Sequence, residues 1–280
     1  MNAARPSIAD KRKSFRQLHE SGCFVIPNPW DIGSAVFLQS LGFKALASTS
    51  SGLAWSRGQA DNSLARDAVL EHLAALVAAT DVPVNADFEN GFAHEAAGVA
   101  ESVRLAVQSG VAGLSIEDST GDATRPLYDE ALAVSRLRAA RESIDRAGGD
   151  TLLVARGECF LVCKPDIDLA IARLRAYANA GADCLYAPGV RSPEHIGALV
   201  RVVAPRPFNL LVHQPIGMSV ADIAALGVRR ISVGGALARC AWGGFVKAAE
   251  QLAAGSFEGL ALGRFDRSLD GLFRPRSPPR

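Results

Sequence analysis

Eight short apolar runs recur along the chain, at residues 23–26, 44–48, 82–86, 113–116, 152–155, 184–187, 208–212 and 230–233. Seven segments with helical spacing separate them: 32–42, 64–80, 93–109, 129–147, 166–180, 193–203 and 219–226. No other feature restricts the fold as strongly. Apolar runs of strand length that alternate with helices read as parallel strands, since the helix that returns the chain to the same edge also covers the sheet. Four of the helical segments run into Gly42, Gly110, Gly181 and Gly227 just before the next strand. Glycine adopts at no steric cost the left-handed conformation that ends a helix. Eight such units are the count for a closed (β/α)8 TIM barrel. A doubly wound open sheet is the alternative, and it is weakened because no Gly-x-Gly-x-x-Gly follows the first strand. Ahead of the units, residues 5–20 predict a capping helix with Phe15 and Leu18 on its packing side. Behind them, helix-forming sequence at 236–254 and 260–273 exceeds what a barrel needs, and a polar Arg/Pro/Ser tail reads as disordered. The expectation is one barrel domain over 1–280 with a C-terminal helical extension at about 236–273.

Of the 280 residues, 49% are hydrophobic and 21% charged, enough for a large core, and the formal net charge is +1. That balance provides no electrostatic footprint for nucleic acid or an anionic membrane surface. No apolar run is long enough for a membrane span, and residues 1–22 carry no apolar signal core, so a cytoplasmic protein is expected. The five cysteines are odd in number and three (Cys23, Cys159, Cys184) lie in or beside apolar runs, which predicts reduced thiols serving mostly as core filler.

In a barrel of this kind the chemistry sits at the C-terminal ends of the strands. The residues there are Trp30 and Asp31, Thr49 to Gly52, Asp87 and Glu89, Glu117 and Asp118, Arg156 and Glu158, and His213, with Asp61 in a turn beyond the second strand. Strand alternation would point Asp87 and Glu89 the same way. Two converging acids are costly to hold without a cation between them. An acidic set with little His or Cys suits a hard divalent ion, Mg²⁺ or alternatively Mn²⁺, and disfavours zinc. For Arg156 the residues leave open an ion pair with Glu158 or Asp87 as against substrate binding. For His213 and Trp30 they leave open a structural role as against contact with substrate.

Asn28-Pro29-Trp30-Asp31, Asp87-Phe88-Glu89-Asn90-Gly91-Phe92, Ser115-Ile116-Glu117-Asp118, Ala155-Arg156 and Ser232-Val233-Gly234-Gly235-Ala236 together resemble the phosphoenolpyruvate mutase and isocitrate lyase superfamily. The resemblance spans nearly the whole chain. It implies a Mg²⁺-dependent barrel that makes or breaks a C–C or P–C bond beside an enolate in a small α-keto or 2-hydroxy carboxylate. It further implies Asp87 as direct metal ligand, with Asp61, Glu89 and Glu117 holding the metal's waters. Ser50, Ser51 and Gly52 would be donors to the substrate carboxylate and Arg156 its cationic partner. Chemically these roles fit: an enolate needs a Lewis acid and preorganised donors where its charge develops.

The same resemblance exposes a departure. Lyase branches carry a Lys-Lys/Arg-Cys-Gly-His segment after the fourth strand, whose Cys serves as acid or base. Here residues 119–128 read STGDATRPLY, with neither Cys nor His, and mutase-like loop chemistry is absent as well. Glu89 stands where Asp is usual. The expectation is a C–C lyase acting by decarboxylation or retro-aldol cleavage, with catalytic roles for Arg156, Glu117 and Tyr128 and substrate contacts from Trp30, Ser50, Ser51, Gly52, Arg156 and His213. A P–C hydrolase or mutase, or a barrel that binds oxo-acids without turnover, are the alternatives. Apolar positions in the extension (Phe245, Leu252, Phe257, Leu260, Leu262) together with the resemblance predict a homo-oligomer, dimer or tetramer, with helices exchanged between subunits.

Overall fold

The computed structural model describes residues 5–263 and 268–274. In chain order the elements are α1 (Ile8–Leu18), β1 (Phe24–Ile26), α2 (Ile32–Ser40), β2 (Leu46–Ala47), α3 (Ser50–Ser56), α4 (Arg66–Ala79), β3 (Val84–Asp87), α5 (Ala96–Gln108) and β4 (Gly113–Glu117). There follow α6 (Glu130–Arg146), β5 (Leu152–Arg156), α7 (Cys159–Val162), α8 (Ile167–Asn179), β6 (Cys184–Tyr186), α9 (Pro193–Val203), β7 (Phe208–Leu211), α10 (Val220–Ala225) and β8 (Arg230–Ser232). A long α11 (Ala236–Ala253), a 3-10 turn (Glu258–Gly263) and a short α12 (Leu269–Phe273) complete the described chain.

All eight strands are parallel, in the order β1-β8-β7-β6-β5-β4-β3-β2, so the sheet is a (β/α)8 barrel whose seam lies between β1 and β2. The seam is bridged where Ala47 N–H donates to the Pro27 carbonyl at 3.0 Å. Asn28 fastens the same corner: its amide donates to the Ser48 carbonyl, and its Oδ1 accepts from the N–H groups of Val233 and Gly234, each at 2.9 Å. Prolines at 27 and 29 supply no N–H to continue a ladder, and the asparagine side chain takes over that work. The four helix-ending glycines all have positive φ, from 87° to 102°.

Pairing Asn85 with Gly113, Arg156 with Tyr186 and Asn209 with Arg230 puts the inward residues of neighbouring strands on common levels. The N-terminal end of the barrel is closed by α1. Its Phe15 is fully buried in a cluster with Ile26, Ala45, Ala47, Ala112 and Leu152. Lys11 and Arg12 donate to the carbonyls of Val77, Thr80, Val107 and Val111, at the helix ends and turns on that face. The capping role expected for residues 5–20 is what the helix performs.

Some boundaries differ from the expectation. Residues 50–56, outside the predicted helical segments, form α3, because Thr49 caps the segment by accepting the Gly52 N–H. The stretch 260–273, read as one helix, is a 3-10 turn and the separate α12, with 264–267 outside the described residues. The tail read as disordered (275–280) and the side chain of Leu262 also lie outside them.

Candidate active site

The register delivers Asp87, Glu117 and Arg156 to the C-terminal mouth side by side: Asp87 pairs with Ser115, and Glu117 with Arg156. Arg156 Nη1 lies 3.3 Å from Asp87 Oδ1 and 3.3 Å from Glu117 Oε2, while its Nε donates to Glu158. The Tyr186 ring centroid is 5.4 Å from the guanidinium. The other oxygen of Asp87 accepts the Ser50 N–H at the start of α3, at 3.0 Å, and the Asp87 N–H donates to Ser48 Oγ at 2.8 Å. Asp61 swings in from its turn and is hydrogen-bonded by the Ser50 side chain.

Glu89 reaches this group differently from the expectation. β3 ends at Asp87, and Glu89 has a left-handed backbone (φ 47°), so strand alternation does not carry through to it. That conformation is uncommon for a residue with a side chain. It is held by the Glu117 N–H, which donates to the Glu89 carbonyl at 3.0 Å. The two acids nonetheless share one field. Burial, then Asp87 and Asp61, push the Glu89 carboxyl up to about 8 against the pull of Arg156. Asp61 is raised by burial and by Asp87. Glu117 is raised well above the carboxylate range, chiefly by burial, with Arg156 opposing and Glu158, Asp87 and Glu89 adding to it.

One guanidinium thus faces five carboxylates, those of Asp61, Asp87, Glu89, Glu117 and Glu158. Such an excess of mutually raising acids is what an added cation relieves. Among the described residues no three acidic, histidine or cysteine side chains gather closely enough to enclose an ion by themselves. The donor set therefore fits an ion that accepts one or two carboxylates and fills its shell with water and substrate oxygens, the habit of Mg²⁺. Arg156 is ion-paired, and it also borders the cavity.

The cavity that Asp61, Asp87 and Arg156 border has a volume of about 260 Å³, suited to a small ligand. Ser50, Ser51, Asp61, Asp87, Arg156 and His213 all line it. Five expected site residues do not: Glu89 and Glu117 belong to the ring of acids without lining the cavity, and Trp30, Gly52 and Tyr128 are engaged elsewhere. Trp30 packs outside the mouth, beside Leu53 and His72. Gly52 spends its N–H on Thr49 and is a spacer, since a Cβ there would stand 2.8 Å from Trp30 Cβ. Tyr128 turns away: its hydroxyl lies 2.6 Å from His94 Nδ1, and the Arg136 guanidinium covers its ring at 3.8 Å. Sequence reasoning missed Ser115, Tyr186 and Arg239, which also line the cavity. A count of inward positions back from each strand end would have found the first two.

An acid-rich mouth on a parallel barrel marks the chain as an enzyme-type (β/α)8 protein built around an anionic, cation-demanding site. The chain belongs to the phosphoenolpyruvate phosphomutase family, whose model matches residues 15–253; relatives in the wider phosphoenolpyruvate mutase/isocitrate lyase superfamily are lyases and mutases. It is similar to a candidate lyase/mutase from Burkholderia cenocepacia J2315, with a TM-score of 0.92 and 45% identity covering 96% of this chain and 98% of that one. A 2,3-dimethylmalate lyase aligns with a TM-score of 0.82 and 26% identity over 97% and 95% of the two chains. An oxaloacetate decarboxylase of Chromohalobacter salexigens is 30% identical over 238 residues, 81% of this chain and 79% of its own. No helix among the described residues is long and apolar enough to cross a membrane.

Proposed function

We propose that the protein is a Mg²⁺-dependent carbon–carbon lyase that cleaves a small α-keto or 2-hydroxy carboxylate, by decarboxylation or retro-aldol fission, through an enolate. The observation that carries this reading is the contact of Asp87 with both Arg156 and the Ser50 N–H at the wall of a small cavity, inside a ring of further acids. Similarity to an oxaloacetate decarboxylase and a 2,3-dimethylmalate lyase supports the reaction class. Asp87 would hold the metal directly and Asp61, Glu89 and Glu117 its waters; the ion supplies a Lewis acid for the substrate's keto or hydroxyl oxygen. Ser50 and Ser51 donate to the substrate carboxylate, and Arg156 neutralises it. When the C–C bond breaks, the electron pair moves into the carbonyl group, and Arg156 faces the negative charge that develops. Glu158 and Glu117 hold the guanidinium in place for that task.

The lid is the segment 119–128, pinned at its base by an isolated bridge between Ser119 and Leu127. With Tyr128 bound to His94, this lid offers the reaction no thiol and no free phenol. Decarboxylation fits best, because it consumes a proton only after the bond has broken, when water can deliver it. The test is 2-oxo acid release, pyruvate from oxaloacetate and phosphonopyruvate and the corresponding 2-oxo acid from 2-alkylmalates, with Mg²⁺ and with chelator. Metal-dependent turnover of a C–C substrate is expected; turnover of phosphonopyruvate alone would favour P–C chemistry, and binding with no turnover of any would leave an oxo-acid-binding barrel.

We further propose a homo-oligomer, dimer or tetramer, in which α11 and the segments after it pack on another subunit. Of the eighteen residues of α11 only Ala238 is buried, and Phe245 and Phe257 are 61% and 76% exposed. Apolar exposure of that extent on one extension marks an interface. A monomer by light scattering at micromolar concentration would refute the assembly.

A further inference from the structure

Loss of carbon dioxide from an oxo-acid leaves an enolate whose carbon must take up a proton, and the lid does not supply one, since Tyr128 is engaged with His94. Among the described residues that line the cavity, Asp61 and Asp87 belong to the cation-binding half. His213 is neutral: Arg191 Nη2 lies 3.4 Å from its Nε2, and a guanidinium has only donors, so Nε2 presents its lone pair. Burial, followed by Arg191 and Arg239, holds His213 below the ordinary histidine range, and Arg239 Nη2 donates to its carbonyl at 3.4 Å. The lining arginines do not give up protons, and serine and threonine hydroxyls are weaker acids than a phenol. That leaves Tyr186.

Register puts this tyrosine at the site: in β6 it pairs with Arg156 of β5 and with Asn209 of β7. Its ring is buried beside the Arg156 guanidinium. A chain of hydrogen bonds rising from the floor orients its hydroxyl. Arg230 Nε donates to Asn209 Oδ1 at 2.7 Å, which turns the amide so that Nδ2 donates to Ser232 Oγ at 2.9 Å. Ser232 donates in turn to the Tyr186 oxygen, a bond of the kind that favours the ionised phenol. The oxygen is therefore occupied as an acceptor. No residue among those described accepts the Tyr186 O–H, so its proton is left for the cavity. Burial, opposed by Arg156 and aided by Glu158, pushes the phenol up to about 12, and it stays protonated at neutral pH.

We propose that Tyr186 is the acid of the reaction and protonates the enolate carbon from the β6 side of the cavity, so that the new C–H bond has one configuration. This rests on the reading of the site as a decarboxylase. The electron pair of the broken C–C bond enters the enolate as carbon dioxide leaves. The enolate carbon then takes the Tyr186 proton, the carbonyl re-forms, and the tyrosinate recovers a proton from water, so one proton is consumed per turnover. The strand thus supplies what the lid lacks.

Decarboxylation of 3-methyloxaloacetate in D₂O tests this, because the 2-oxobutyrate formed carries a deuterium at a carbon that becomes chiral. Trapping the product at once by reduction to 2-hydroxybutyrate preserves that configuration for NMR. The intact native protein should give one configuration at the deuterated carbon. Tyr186→Phe keeps the ring beside Arg156 and removes only the hydroxyl, so it should give both configurations equally and lower turnover by about 10²-fold or more, the scale of a positioned acid. Oxalate with Mg²⁺, measured by calorimetry, should bind the variant within about 2-fold of the native protein, a margin well under the tenfold that 1.4 kcal/mol represents. A product of single configuration from Tyr186→Phe would overturn the assignment, as would a mixed product from the native protein or a loss of turnover below about 10-fold. Loss of oxalate binding in the variant would make Tyr186 a structural residue and overturn it likewise. No carbon dioxide release by the native protein, from this acid or from oxaloacetate, would instead overturn the decarboxylase reading and the assignment with it.

Discussion

Two arginines on inward positions of the barrel, Arg230 near its N-terminal floor and Arg156 at its mouth, are held in opposite ways. Arg230 is 3% exposed, and its partners are neutral: Asn209 Oδ1 at 2.7 Å, Asn85 Oδ1 at 3.4 Å and His19 Nε2 at 3.4 Å. His19 in turn donates from Nδ1 to the Phe15 carbonyl at 2.7 Å, which fixes its tautomer and ties the network to α1. Arg156 is surrounded by carboxylates, three of them in direct contact. A buried cation among fitted neutral acceptors serves the architecture. A cation outnumbered by acids beside a cavity serves binding, since the surplus charge is tolerable only if something else enters. The floor should therefore answer to stability measurements and the mouth to activity measurements.

The sharpest way to break that contrast is at Asp87. Asp87→Ala should cut Mg²⁺-dependent turnover by at least ~10³-fold, from loss of ligand and oriented charge, while stability changes by less than about 1 kcal/mol. Steady-state kinetics and denaturant unfolding on the same sample would show it; unfolding of the variant would move Asp87 to the architectural side. The converse is Phe15→Ala, expected to cost about 3–4 kcal/mol as a buried aromatic is deleted from the floor, with kcat/KM of the folded protein unchanged. A loss of kcat/KM without a loss of stability would place α1 in the catalytic machinery.

pH separates the two ends next. Burial and Arg230 depress His19 from 6.5 to about 3, so the unfolded chain takes up a proton that the folded chain refuses throughout that interval. The contribution of His19 is fully present above pH 6.5 and is lost as pH falls toward 3, with a slope near 1.4 kcal/mol per pH unit for one proton. His19→Gln should flatten the acid limb of the stability curve by that one proton; an unchanged slope would mean that His19 is protonated in the fold. At Tyr128 a smaller effect is expected. Tyr128→Phe should lower turnover less than about 10-fold, below what removal of a general acid costs, because the hydroxyl is engaged with His94. A loss of ~10² or more would restore Tyr128 to the chemistry. Smallest of all should be the response to iodoacetamide. Cys159 is fully buried and its thiol is pushed up to about 12, first by burial and then by Asp118, and no cysteine borders the cavity. Inactivation that bound substrate prevents would assign a thiol to the missing acid-base role.

The unit count, the parallel barrel, the capping glycines and the strand-end acids were legible in the sequence, because each follows from local periodicity or from a single residue's backbone preference. Gly42, Gly110, Gly181 and Gly227 all adopt the left-handed turn that their positions predict. Which strand-end residues meet was decided by tertiary structure. Glu89 departs from alternation because its backbone turns left-handed one step beyond Phe88, and Trp30, in the loop after β1, faces away from the cavity. Arg191 and His213 lie on two different loops and Arg239 in α11, and only the order of β6, β7 and β8 around the barrel makes them neighbours. Periodicity specifies which side of a strand a residue occupies, but beyond the strand's end orientation depends on loop dihedrals and on register against neighbours far away in the chain.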